Sequence, residues 1–386
     1  MMNPFSYHNP TRIHFGEGQI AAITAEIPKD SKVLVLYGGG SIKQNGVYEQ
    51  VTQALSDHQW AEFSGIEPNP QYDTLMKAVE KIQTEGFDYL LAVGGGSVID
   101  GTKFIAAAAC FKGQDPWDIL AKHAPVETAL PIGCILTLPA TGSESNKGAV
   151  VSRGKDKLSF MTAKVQPAFA VLDPATTLSL SPRQISNGVV DAFVHVMEQY
   201  LTFPVDAKVQ DRFAEGLLLT LIEEGPKALE NPNDLTVRAN IMWSATQALN
   251  GLIGVGVPQD WATHMIGHEL TGNYGIDHAR TLSIVLPAVM KARRQDKEAK
   301  LLQYAERVFG LTEGSADTRI DAAIAQTEAF FTAMDVPVRL TDAGLTESDI
   351  QVLVSSLEKH GMTALGEHGR IAIADSEMIL NTALAH

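Results

Sequence analysis

The sequence predicts an α/β half followed by an all-helical half, and three observations carry that prediction. Short apolar runs in the first half close on glycine or Asp-Pro, amphipathic segments follow them, and strand signals stop after about Thr177. The first run, 32–37 (KVLVLY), ends in Gly38-Gly39-Gly40-Ser41. The second, 89–93 (YLLAV), ends in Gly94-Gly95-Gly96-Ser97. The third, 133–138 (GCILTL), leads into Pro139-Ala140-Thr141-Gly142-Ser143, and the fourth, 168–172 (AFAVL), into Asp173-Pro174. Continuous apolar runs bounded by turn residues mark strands buried on both faces of a parallel sheet, and their repetition gives an open α/β layer. Helical patterns then cover 184–201, 207–224, 236–250, 259–271, 281–294 and 300–309, punctuated by Pro258 and Pro287. The boundary falls near Ser179-Leu180-Ser181-Pro182, giving an α/β domain over 1–180 and an all-helical domain over 181–386.

Length and composition agree with two cores: 386 residues and 45% hydrophobic content suffice for two domains of roughly 100–200 residues each. The chain carries 30 basic and 45 acidic residues, a net charge of −15, which leaves little for a basic stripe along nucleic acid. Small molecules are the expected partners. Cys110 and Cys134 sit in apolar runs and read as buried, inert thiols. Two cysteines make no disulfide framework and fit a reducing compartment. No apolar leader precedes Phe15, and no stretch approaches the roughly 20 apolar residues of a membrane span, so a cytoplasmic location is expected.

A strand that ends in glycines and opens a helix is a natural anion seat, because the backbone can approach a phosphate and the helix N–H groups face it. The segment 94–100 (GGGSVID), with Gly95, Gly96, Ser97 and Asp100, is the best such loop, although it is not the G-x-G-x-x-G fingerprint. The 1–180 domain is therefore expected to bind a dinucleotide. The earlier loop, 37–43 (YGGGSIK), stands where many dinucleotide proteins hold the adenosine ribose. NAD-specific proteins place a carboxylate there. Here Gly38 and Gly39 occupy the strand end, with Ser41 and Lys43 beyond, a hydroxyl and a cation suited to a 2′-phosphate.

The helical half holds the candidate metal ligands. Asp191 and His195 are four residues apart, as are His264 and His268, and His278 follows ten residues later. On a helix such pairs share a face. Aspartate with imidazoles suits a divalent transition metal, zinc or iron. The segment 264–268 (HMIGH) lacks the glutamate of the H-E-x-x-H motif, which argues against a metalloprotease. His8, His14, His58, His123, His360, His368 and His386 read as surface residues. Near the metal candidates stand Ala192, Phe193, Val194, Val196, Trp261, Met265 and Ile266, an apolar set that favours a small uncharged substrate.

These motifs, in this order, resemble the iron-dependent alcohol dehydrogenases, and among them the butanol-dehydrogenase-like, NADPH-dependent aldehyde reductase branch. The likeness runs through 11–18 (TRIHFGEG), 92–100 (AVGGGSVID), 137–146 (TLPATGSESN), 188–198 (GVVDAFVHVME), 256–270 (GVPQDWATHMIGHEL) and Asp277-His278-Ala279. The resemblance implies a Rossmann-like N-terminal domain, a helical C-terminal domain in a dehydroquinate synthase-like architecture, a cleft between them, and dimers paired through N-terminal segments. It implies Asp191, His195, His264 and His278 as ligands of one Fe2+ or Zn2+ and His268 as a pocket histidine aiding proton delivery. It implies Gly95, Gly96 and Ser97 at the pyrophosphate, and Thr137, Thr141 and Lys157 along the nucleotide. Glycines in place of the acidic ribose residue favour NADP(H) over NAD. The expected activity is reversible reduction of small aldehydes to primary alcohols. The alternatives are a polyol dehydrogenase of the glycerol type, a dehydroquinate synthase-like lyase, which would need more cationic residues, and a binder without catalysis.

Overall fold

The computed structural model describes residues 1–384. Residues 8–180 and 233–246 form one compact unit; 1–7, 181–232 and the chain from 247 onward form the other.

The first unit is built on a six-stranded sheet in the order β1-β8-β5-β4-β2-β3, with every pairing parallel. The strands are β1 (Arg12–Phe15), β2 (Lys32–Tyr37), β3 (Gln59–Phe63), β4 (Tyr89–Gly95), β5 (Ile132–Leu138) and β8 (Phe169–Leu172). An antiparallel hairpin of β6 (Gly148–Arg153) and β7 (Asp156–Met161) completes the set. The four apolar runs are the four interior strands. Their side chains alternate between two cores, as the two-residue period of a strand requires. Leu34, Leu36, Leu90, Ala92, Cys134, Leu136, Ala170 and Leu172 face the core containing helices Tyr72–Glu85 and Gly96–Cys110. Val33, Val35, Leu91, Val93, Ile135 and Val171 face the core of helix Val47–Ala54. The strands without an apolar run, β1 (RIHF) and β3 (QWAEF), lie at the two edges, where polar side chains are tolerated.

The sheet order fixes where a ligand can sit. From β2 the chain moves outward to β3, then returns to the other side of β2 as β4 and continues toward β5 and β8. The direction of winding therefore reverses between β2 and β4. Crevices at the carboxyl ends of strands flanking such a reversal are where open α/β sheets bind ligands. Both glycine loops lie at this point.

The second unit is helical. Helix Pro182–Tyr200 begins two residues earlier than the apolar pattern predicts, because Ser181 and Gln184 form a reciprocal capping box with Pro182 in the first turn. Helix Lys208–Glu230 runs through Gly225-Pro226, where the sequence predicts an end. Gly225 packs so closely that a β-carbon would stand 2.9 Å from Val189 and Met334, so tertiary packing holds the chain helical across its proline. Helix Ala262–Tyr274 starts three residues later than expected, since Asp260 accepts the Ala262 N–H at 2.8 Å and Trp261 takes φ 64°. Helix His278–Ala292 passes through Pro287. Beyond Phe309 come helices Ala316–Ala333, Glu347–Lys359 and Ile373–Leu384, and Phe330 and Phe331 pack against Phe193.

Several expectations need correction. Residues 1–7 cluster with the helical unit and 233–246 with the α/β unit, so the division at 180 does not hold for either segment. The reason for the second is visible: Met242 enters the sheet core, and Thr246 Oγ1 donates to the buried Glu144 Oε1 at 2.6 Å. Cys134 is buried, with its thiol pKa pushed up by burial, but Cys110 is only half-buried. His58 is buried with its Nε2 at 3.2 Å from Ile27 O, and His360 is largely covered with its Nδ1 at 2.7 Å from Glu269 Oε1; neither is a surface residue. His14 is half-buried beside Glu26, whereas His8, His123 and His368 are exposed, and His386 lies outside the described residues. No helix among the described residues is long and apolar enough to cross a membrane.

Replacing Thr246 with valine leaves Glu144 buried without that donor. A cost of about 1–3 kcal/mol is expected, read as a fall in thermal stability. An unchanged melting temperature would show that the helix Leu235–Ala248 docks without this bond.

Candidate functional site

Three helices supply the donor cluster. Asp191 and His195 come from consecutive turns of helix Pro182–Tyr200, His264 from the first turn of helix Ala262–Tyr274, and His278 opens helix His278–Ala292. One oxygen organises them. Asp191 Oδ1 is buried and accepts no hydrogen bond, yet Nε2 of His278, His195 and His264 stand 3.7, 3.9 and 4.0 Å from it. The His195 and His264 rings stack at 4.6 Å, and the His264 and His278 rings meet edge to face at 5.2 Å. Four donors bonded at 2.0–2.2 Å around one tetrahedral ion would stand roughly 3.3–3.6 Å apart. Ligand atoms of Asp191, His195 and His264 all lie within 4.8 Å of one another, whereas His278 meets Asp191 Oδ1 at 3.7 Å but falls outside that mutual grouping. A buried carboxylate oxygen facing imidazole nitrogens without a hydrogen bond is costly unless a cation is shared among them. One carboxylate and three imidazoles fit a divalent transition metal and leave room for a further ligand.

His268 lies one turn beyond His264. Its ring is 5.1 Å from that of His278 and 6.3 Å from that of His264, and its side chain is half-buried. It is beside the donor cluster while Asp191 Oδ1 is approached by the other three.

Sequence reasoning gave no role to Glu198, and read Trp261 only as part of an apolar set. Glu198, two turns along from Asp191, is buried; its Oε1 accepts the Thr263 and His264 N–H groups at 2.7 and 3.3 Å, and its Oε2 contacts His264 Nδ1. Burial, reinforced by the charge of Asp260, pushes its carboxyl pKa up to about 8; a bound cation acts in the opposite direction. Asp260 in turn pairs with the buried Lys297 at 2.5 Å, and Lys297 also reaches Glu367 at 3.0 Å. Trp261 packs edge to face on His264 at 5.3 Å in a backbone conformation that a bulky residue rarely adopts. A carboxylate three residues past a ligand histidine was the available signal for Glu198; nothing local marks Trp261.

The apolar set assigned to the substrate wall is mostly core. Ala192, Phe193, Val194, Val196 and Ile266 are all 0% exposed. Only Trp261 and Met265 keep part of their surface open. The argument for an uncharged substrate therefore loses most of its support from these residues.

In the α/β unit, Gly95 precedes the 15-residue helix Gly96–Cys110, and Gly96 and Ser97 form its first turn. A β-carbon at Gly96 would stand 2.5 Å from Thr141 Oγ1, so that glycine lets the two loops meet. Thr137 is the penultimate residue of β5 and is half-buried, as is Thr141. Asp100 is committed internally: its Oδ1 accepts the Ser143 hydroxyl at 2.5 Å and its Oδ2 the Val150 N–H at 2.9 Å. Burial pushes its pKa up, opposed by Lys103, by these bonds and by Lys157. Its visible work is to tie the helix to the 141–150 loop, and direct cofactor binding by its carboxylate is not what this arrangement provides. Lys103, itself fully buried with its pKa pushed down to about 8 by desolvation, donates to Asn146 Oδ1 at 3.0 Å and Gly148 O at 2.8 Å. Lys157 lies on β7 opposite Ser152.

Around the first loop, Gly38 is half-buried while Gly39, Ser41 and Lys43 are exposed. The Lys43 ammonium is 2.9 Å from Glu62 Oε1, whose other oxygen accepts the Tyr48 hydroxyl at 2.7 Å. Tyr37 and Glu62 hold the lysine pKa above its ordinary value. A carboxylate thus does stand beside the first glycine loop, on β3, paired with the cation expected to meet phosphate.

A sheet with glycine loops at its reversal point and a helical unit with an Asp-His donor cluster define a nucleotide- and metal-using protein of two parts. Comparison with known proteins gives the family. The family model described as iron-containing alcohol dehydrogenase matches residues 10–174, and its Fe-containing C-terminal counterpart matches 185–368. The chain is 61% identical over 386 residues to the NADPH-dependent aldehyde reductase YqhD of Escherichia coli, covering 99% of this chain and 100% of that one. It is 36% identical to NADH-dependent butanol dehydrogenase A of Clostridium acetobutylicum, covering 95% of each chain. A crystal structure of YqhD from E. coli K-12 superposes with a TM-score of 0.98 at 60% identity over 99% of each chain. That of a butanol dehydrogenase from Thermotoga maritima gives 0.95 at 37% identity, covering 100% of this chain and 99% of the other. The chain belongs to the iron-containing alcohol dehydrogenase family.

Removing one imidazole from the cluster should lose the metal. His195→Ala and His264→Ala are expected to purify with little bound iron or zinc and no measurable reductase activity. Elemental analysis at native occupancy with normal turnover in both variants would overturn the ligand assignment.

Proposed function

We propose that this chain is a metal- and NADPH-dependent aldehyde reductase that reduces small aldehydes to primary alcohols, reversibly. The observation that carries the reading is the convergence of three imidazole nitrogens on the buried Asp191 Oδ1. Similarity over the full length to an enzyme named as an NADPH-dependent aldehyde reductase supports the substrate class and the cofactor. Asp191, His195, His264 and His278 would hold the ion, either iron or zinc, since the same donors suit both. Gly95, Gly96 and Ser97 would cradle the pyrophosphate, with Thr137 and Thr141 along the nucleotide and Lys157 nearby. The reading extends to a homodimer in the cytoplasm. Phe15 and Trp243, 42% and 43% exposed, meet edge to face beside the unpaired edge of β1, which supports self-association at that edge.

Held by these residues, a metal would supply Lewis-acid polarisation of an aldehyde carbonyl, and a nicotinamide would supply the hydride. The protein's part is to hold the donors, orient the substrate and deliver a proton. Glu198 and Trp261 keep His264 in place, and Trp261 and Met265 offer apolar surface beside it. His268 is the group placed to hand a proton to the alkoxide oxygen, directly or through one water.

The proton role has a direct test. His268→Asn should keep the metal and lower kcat by about 100-fold, within the usual range for a general acid. Metal loss in this variant would make His268 a ligand, and unchanged kcat would remove it from catalysis.

Cofactor choice tests the first loop. Gly39, Ser41 and the Lys43–Glu62 pair present no unpaired carboxylate, so NADPH should be preferred over NADH by about tenfold or more in kcat/KM. A β-carbon at Gly39 would meet nothing within 4 Å, so Gly39→Asp adds a ribose-binding carboxylate without steric cost and should shift the ratio toward NADH. A native preference for NADH would overturn this reading of the loop and leave the metal assignment intact.

A further inference from the structure

We propose that Glu198 is a positioning residue for the metal centre: its buried carboxylate fixes His264 in the orientation and tautomer that present Nε2 to the ion. The inference rests on the metal reading of Asp191, His195, His264 and His278. Glu198 follows Asp191 by seven residues and His195 by three, so one face of helix Pro182–Tyr200 carries two ligands and the group that orients a third.

The geometry divides its two oxygens between two tasks. Oε1 accepts the Thr263 and His264 backbone N–H groups, which belong to the first turn of helix Ala262–Tyr274 and have no partners within that helix. Oε2 takes the His264 side chain at Nδ1. In its ionised form, which a bound cation favours, Glu198 requires the proton on Nδ1, which leaves the Nε2 lone pair for a metal, and Nε2 is the atom that stands 4.0 Å from Asp191 Oδ1. Backbone and side chain of the same ligand are thus gripped by one group. A second tether runs from the Asp260 N–H to Glu198 O at 2.9 Å, and the Lys297 pair anchors Asp260 itself. The turn that carries His264 is therefore fixed to the ligand helix before any ion arrives.

Glutamine cannot replace this arrangement. It has one acceptor and one donor where the site asks for two acceptors. If its oxygen faces the backbone, its NH2 meets Nδ1 and drives the proton to Nε2, the ligating atom. If its oxygen faces Nδ1, its NH2 confronts two N–H donors. Either way one grip fails.

The test is Co2+ binding to metal-free full-length protein, native and E198Q, titrated against a chelator of known affinity, with visible spectra of the Co2+ forms and the melting temperature of each metal-free form. Native protein should bind Co2+ stoichiometrically, and E198Q should bind roughly 10–100-fold more weakly, the usual cost of losing a group that orients a metal-bound histidine. Its Co2+ spectrum should also change. Unchanged Co2+ affinity and spectrum in folded E198Q would overturn the proposal, including when its metal-free form melts lower, since that marks a purely structural role. Should E198Q fail to fold, E198D takes its place: it keeps the charge but is one methylene too short to hold both sites, and native Co2+ affinity in it would equally overturn the proposal. Failure of the native protein itself to bind Co2+ would overturn the metal reading, a result distinct from loss confined to the Glu198 variants.

Discussion

The helical unit is organised around a buried carboxylate oxygen that receives no hydrogen bond from the described residues. Asp191 Oδ1 is buried among three imidazole nitrogens at 3.7–4.0 Å. Burying such a group without compensation is expensive, and a shared cation is the compensation that its neighbours are built to accept. Three helices must meet at this oxygen, and each pays in local geometry. Helix Pro182–Tyr200 carries an almost continuously buried second half; helix Ala262–Tyr274 begins on a tryptophan with positive φ; helix His278–Ala292 begins on His278, one of the three imidazoles. Glu198 and the Lys297–Asp260–Glu367 group are the polar supports that such convergence needs when it happens inside a core.

The α/β unit solves a different problem. A phosphate seat needs backbone close to the ligand and a rigid base beneath it. The glycines at the ends of β2 and β4 supply the first. The buried polar group of Asp100, Lys103, Ser143 and Asn146 supplies the second, joining helix Gly96–Cys110 to the loop that follows β5. Asp100 thus serves the proposed cofactor site through the loops it fastens. Glu62 has a comparable place at the first loop, where its ion pair with Lys43 sets the local charge balance at the proposed adenosine site.

The family relation and the geometry support each other at different levels. Membership rests on sequence over nearly the whole chain, whereas the proposed ligand set rests on the positions of a few atoms. The butanol dehydrogenases among the relatives carry NADH in their names and the E. coli reductase carries NADPH, so membership alone does not set cofactor choice, which the proposed reading assigns to the first loop. The substrate is similarly local. With Phe193 and its apolar neighbours spent on the core, the surface open near the donors is confined to a few side chains, among them Trp261, Met265 and His268.

The family resemblance, not local pattern, picked four candidate ligands out of five; by itself the sequence determined the layer order, the four central strands, the onset of the helical half and the Asp191–His195 and His264–His268 pairs. Those features are written in local patterns: continuous apolar runs for strands covered on both faces, glycine at their ends, and four-residue spacing for groups on one helical face. Tertiary structure alone decided the rest. Edge strands β1 and β3 lack an apolar run because only one neighbour covers them. Helix Leu235–Ala248 joins the sheet through Met242 and Thr246, contacts invisible to a boundary drawn from periodicity. Asp100 reads as a cofactor residue until its oxygens are seen to be taken, and Glu198 reads as the end of a helix pattern until His264, 66 residues away, comes to meet it. In each case the deciding interaction joins segments far apart in the chain, and a pattern of neighbours along the backbone carries no record of what packs across it.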